Sequence, residues 1–69
     1  MVQKAHEKLK SWLKENHKTQ TYLVDNLGVY APSVSRWVNG KAVPIMVFRK
    51  QIEALTDGAV LASDWEDGQ

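Results

Sequence analysis

The chain has 69 residues, 43% of them hydrophobic and 25% charged, and no cysteine. That length accommodates one small core, and the composition is too apolar for a disordered chain, so large enzyme architectures are excluded and few apolar side chains are spare to line a substrate pocket. Without thiols there is no disulfide, thiolate zinc site or cysteine nucleophile, and a reducing cytoplasm is the expected compartment. No apolar run reaches the roughly 18 residues that cross a bilayer, and the opening Met1–Glu7 lacks the apolar stretch of a signal peptide, which predicts a soluble chain with no membrane partner.

The net charge of +1 conceals a strong asymmetry. Residues 1–50 carry all nine Lys and Arg against Glu7, Glu15 and Asp25, a net +6, whereas residues 51–69 carry five acids and no base, a net −5. A basic surface facing a polyanion and an acidic end turned away from it would produce that split, and so would an ordinary solvated surface.

In chain order, Val2, Ala5, Leu9, Trp12 and Leu13 step by three and four, which predicts an amphipathic helix over residues 2–16. Lys4, Lys8, Lys10, Lys14 and Lys18 fall on its opposite arc, interleaved with Glu7 and Glu15. A solvated, ion-paired face is the expectation there, with a phosphate-binding stripe as the competing one. Thr19 is placed to cap a second helix that carries Tyr22, Leu23 and Leu27 and stops at Gly28, where positive φ is cheap.

Pro32, with φ preset and no amide hydrogen, opens a third helix over residues 32–39. Its Val34, Trp37 and Val38 share one side, which turns Pro32, Arg36 and Asn39 outward and leaves Ser33 and Ser35 at the margins. After a turn at Asn39-Gly40-Lys41, Pro44 starts a fourth helix with Ile45, Phe48, Ile52 and Leu55 as its buried stripe, ending at Thr56-Asp57-Gly58. Val60, Leu61 and Trp65 are apolar anchors for one closing turn that Ser63 is placed to cap, and residues 66–69 form an acidic flexible tail. Without any period-two alternation, the expected class is all-α: one domain over residues 1–65, built of four helices with a possible fifth turn.

Catalytic and metal chemistry finds little support. His6 and His17 lie eleven residues apart, roughly 16 Å along a helix axis, too far for one metal. Asp64, Glu66 and Asp67 lack the glycine loop of a calcium site, and no nucleophile has a visible base. A binding protein without cofactor or metal is expected. Trp12 and Trp37 sit on apolar arcs and read as core rather than as stacking platforms for single-stranded nucleic acid.

Two short helices joined by a glycine-containing turn, the second with a polar outer face, form the unit that lays its second helix in the major groove of DNA. The run from Thr19-Gln20 through Leu23, Leu27-Gly28-Val29, Val34, Ser35-Arg36-Trp37 and Asn39-Gly40-Lys41 to Pro44 resembles the helix-turn-helix of lambda-repressor-like and Cro-like regulators of phages and bacteria. Residues 1–16 and 52–58 stand where such domains keep supporting helices. The chain departs from the family at Val24, where a close helix crossing usually holds Ala. It departs again at Tyr30, which replaces a Ser or Thr cap, and at Ala31-Pro32, which replace a polar base-reading pair.

The resemblance implies a lambda-repressor-like DNA-binding domain and a set of contacts. Arg36 is placed to grip a guanine through its planar fork, with Ser33, Ala31, Pro32 and Tyr30 as further base contacts. Gln20, Thr19, Ser35, Asn39 and Lys41 are placed on phosphates, which set register without reading sequence. Two-fold pairing doubles the few base contacts one short helix makes, so a homodimer on an inverted-repeat double-stranded operator is expected, with Met46, Val47, Ala54 and Trp65 as its candidate interface. The expected role is a Cro-like repressor acting by occupancy, with no small-molecule effector. The alternative is a protein-interaction module, antitoxin-like or adaptor, on the same fold.

Overall fold

In a computed structural model the chain is described over residues 4–65. Val2 and the predicted tail at residues 66–69 lie outside the described residues. The described residues are all helical in their regular structure: α1 (Ala5–Glu15), α2 (Gln20–Leu27), α3 (Ala31–Val38), α4 (Met46–Leu55) and a closing 3-10 turn at Ala62–Asp64. No helix among them is long and apolar enough to cross a membrane.

Each helix contributes an apolar stripe to one core. Ala5, Leu9 and Leu13 come from α1, Leu23 and Leu27 from α2, Val34, Trp37 and Val38 from α3, and Ile52 from α4, with Val60 and Trp65 closing the cluster. Most of the periodic residues of α1 to α3 are therefore buried, as hydrophobic burial at helical spacing requires. Trp37 packs its ring at a centroid distance of 5.6 Å from Phe48, which ties α3 to α4, and Trp12 stands 5.9 Å from Tyr22 between α1 and α2. Trp12 is half-buried at the edge of the core rather than within it, and so is Val24.

Three local expectations are corrected. α4 does not begin at Pro44: Pro44 is fully buried, Ile45 is the extended residue before the first turn, and Ile45 is 62% exposed instead of belonging to the buried stripe. The Arg49 Nε donates to the Pro44 carbonyl at 2.6 Å, and this bond holds the proline inward and the next residue outward. Thr19 precedes α2 but makes no side-chain bond to the helix; the Tyr22 amide is satisfied by the Thr19 carbonyl. Ser63 lies inside the closing turn instead of before it, and Asp64 Oδ2 accepts the Leu61 amide at 2.9 Å.

Helix ends are instead closed by backbone turns. Lys18 N–H bonds to the Leu13 carbonyl at 2.8 Å, Lys41 N–H to Arg36 at 2.8 Å and Gly58 N–H to Glu53 at 2.9 Å, so α1, α3 and α4 all end in the six-to-one pattern that places one residue in the left-handed region. In α3 that residue is Gly40, but in α1 it is His17 (φ 56°) and in α4 Asp57 (φ 55°). The chain then folds back onto α4. Thr56 Oγ1 donates to the Ile52 carbonyl and accepts the Val60 amide, Glu53 Oε1 accepts the Ala62 amide at 2.8 Å, and Asp64 pairs with Lys8 at 3.2 Å. These bonds seat Trp65, 4% exposed, in the core, with its indole Nε1 unpartnered among the described residues.

His17→Gly should stabilise the fold by roughly 0.5–1 kcal/mol, because glycine adopts positive φ without a side-chain clash, raising Tm by about 2–8 °C. Thr56→Val should cost about 1–3 kcal/mol in chemical denaturation, since it leaves the buried Val60 amide without its acceptor.

Candidate functional site

The outward face of α3 is set by what the helix buries. With Val34, Trp37 and Val38 inside, Ala31, Pro32, Arg36 and Asn39 are exposed, and Ser33 and Ser35 are half-buried on the flanks. Tyr30, just before the helix, is 82% exposed, so its ring does not pack on the neighbouring turn. It supplies no side-chain cap, and the first amides of α3 are met by the Tyr30 carbonyl alone. Pro32, Arg36 and Asn39 fall within one narrow arc at 100° per residue, which aligns them along the helix. The face is thus an apolar N-terminal end, a single guanidinium in the middle and an amide at the far end.

The residues around this face are placed as follows. Asn39 Nδ2 donates to the Ser35 carbonyl at 2.8 Å, with Ser35 Oγ at 3.4 Å, so the Asn39 amide and Ser35 brace each other across the last turn. Lys41 is exposed, and its backbone is tied to the Arg36 carbonyl. Gln20 is half-buried at the first position of α2 and makes no side-chain hydrogen bond among the described residues, while Thr19 is exposed beside it. Helix α2 packs against α3, and α1 packs against α3 from another side.

Of the four residues expected at a dimer surface, Met46, Val47 and Ala54 are exposed. Met46 and Val47 are about half-exposed and adjoin the exposed Ile45 at the start of α4, and Ala54 is exposed two turns further on. Trp65 is buried in the core of the single chain, so it is withdrawn from that surface; the Glu53, Asp64 and Thr56 bonds that fold the segment back draw it inward.

Two features had no signal in periodicity. The first is the seat of His6: a Cβ built on Gly40 would lie 2.9 Å from the His6 imidazole, and Gly40 has φ 76°. Gly40 is required both by its conformation and by the ring above it, so α1 is keyed to the end of α3. The second is an open groove of about 550 Å³ along this seam, lined by His6, Glu7, Lys10, Ser11 and Lys14 of α1 and by Asn39. The sequence marks Asn39-Gly40-Lys41 as a turn and carries no sign that α1 approaches there.

The lysine face of α1 is not ion-paired along the helix. Among the described residues the ion pair is Lys8–Asp64, which crosses to the closing turn. Glu7 accepts the Lys4 amide at 3.0 Å instead of bonding a lysine.

No protein-family model, no curated protein and no solved structure matches the chain.

Gly40→Ala should destabilise the protein by more than about 2 kcal/mol, combining the positive-φ penalty with overpacking against the ring. In a His6→Ala background the same change should cost only about 1–2 kcal/mol, the φ part, in a double-mutant cycle read by denaturant midpoint.

Proposed function

We propose that this protein is a sequence-specific double-stranded DNA-binding regulator of the lambda-repressor-like type, with α2 and α3 as a helix-turn-helix and α3 as the helix that enters the major groove. The observation that carries the reading is the orientation of α3, which buries Val34, Trp37 and Val38 and holds Arg36 outward between small side chains. A major groove about 12 Å wide admits such a helix, and a guanidinium there pairs with O6 and N7 of guanine. Pro32 and Tyr30 lie toward the apolar end of the face, suited to thymine methyl groups, while Ser33 and Ser35 flank Arg36. Lys41, Asn39, Gln20 and Thr19 serve the phosphates on either side.

Binding as a homodimer to an inverted repeat, with repression by occupancy, completes the proposal, because one α3 buries too little for useful specificity. The half-exposed Met46 and Val47 are the proposed self-contact, with Ala54 at its margin. No catalytic step and no cofactor enters this role. A second reading, a protein-binding module, is favoured by one observation: Tyr30 is 82% exposed beside exposed Ala31 and Pro32, an apolar end unusual for a base-reading surface.

Selection of bound fragments from random duplex DNA should yield a palindromic consensus. Affinity for that duplex, read by fluorescence anisotropy, should fall with a log-log salt slope of about −0.9 per phosphate neutralised, whereas an apolar protein interface would barely respond. Arg36→Ala should cost about 1–3 kcal/mol and relax preference at one position, while Lys41→Ala should weaken all sequences alike. A protein that ignores duplex DNA in dilute buffer would overturn the proposal in favour of the protein-binding reading.

A further inference from the structure

The groove between α1 and the end of α3 adjoins the face just described and shares Asn39 with it. It is lined by Val38 and Asn39 from the end of α3 and by His6, Glu7, Lys10, Ser11 and Lys14 from α1. Lys10 and Lys14 are one helical turn apart and both exposed, so their ammonium groups flank one stretch of the groove. Neither makes an ion pair among the described residues.

Glu7 lines the same groove, but its carboxylate accepts the backbone amide of Lys4. Asp64 and Glu53, from the acidic half of the chain, are engaged by Lys8 and by the Ala62 amide. The groove therefore carries the two ammonium groups of Lys10 and Lys14 against the single carboxylate of Glu7, a net positive charge, together with the Ser11 hydroxyl. Its position is fixed relative to α3, because the His6 ring seated on Gly40 locks α1 against the turn that follows Asn39.

We infer that this groove is a second backbone-binding site, in which Lys10 and Lys14 hold phosphates of a nucleic-acid strand running past the C-terminal end of α3. The inference rests on the duplex-DNA reading and extends its footprint from one helix to the seam between two. Phosphodiester oxygens are the matching ligand class: they are acceptors only, they carry one charge each, and they recur along the strand, which suits two cations spaced along a helix. Contacts of this kind add affinity and orientation without sequence preference.

The test is a salt titration of duplex binding by the full chain. Lys10→Ala/Lys14→Ala alters two exposed helix positions to the best helix former, so the fold is expected to persist, checked by circular dichroism and Tm. The magnitude of the log-log slope should drop by about 1.8, two phosphates at 0.9 each, with a roughly tenfold or greater loss of affinity at 0.1 M salt on every duplex alike. Lys50→Ala, in a separate groove that also holds Glu53 and Asp57, controls for the loss of an exposed lysine elsewhere on the surface and should leave the slope unchanged. Wild-type binding with an unchanged slope in the double variant, or an equal change in Lys50→Ala, overturns the inference and leaves the α3 reading standing. No duplex binding by the wild type overturns both.

Discussion

The burial of Val34, Trp37 and Val38 fixes how α3 is rotated about its own axis, and the external chemistry of the molecule follows from that rotation. Three large apolar groups on one side of an eight-residue helix leave little freedom: turning the helix by one position would expose a tryptophan and bury a guanidinium. Losing a buried tryptophan costs about 3–5 kcal/mol, a large fraction of the stability of a domain this small. Arg36 is held outward by that constraint and by no bond of its own among the described residues.

The same economy governs the helix ends. Among the described residues, Thr19, Tyr30 and Ile45 stand before their helices without donating or accepting a side-chain cap, and the C-termini close through backbone turns that place His17, Gly40 and Asp57 at positive φ. Weak local capping means that the helices rely on tertiary packing, as short helices in water generally must. The closing segment supplies part of that packing. Thr56, Glu53 and Asp64 fold the chain back and seat Trp65 over a core that one small domain could not otherwise complete.

That segment also gives the charge asymmetry a structural meaning. Two of the acids in residues 51–69, Glu53 and Asp64, are spent on internal bonds around the closing turn. Lys10 and Lys14 on α1, and Arg36 and Lys41 around α3, keep their charge outward. The basic and acidic halves of the sequence thus serve different ends, one facing solvent and the proposed polyanion, the other holding the fold closed.

Helical periodicity alone specified α1, α2 and α3 and their buried faces, because a residue's side of a helix is decided by spacing, and spacing is written in the chain. The same reasoning turned Arg36, Pro32 and Asn39 outward. It misjudged Ile45, and it left Trp65 open between the core and a dimer surface, because the surroundings of both depend on distant partners: Arg49 reaching the Pro44 carbonyl, and the folding-back of residues 56–65 onto α4. The His6 seat on Gly40, the groove beside it and the pairing of Lys8 with Asp64 belong to tertiary structure for the same reason. Which ring meets which glycine, and which carboxylate is already occupied, is decided only when elements far apart in the chain are brought into contact.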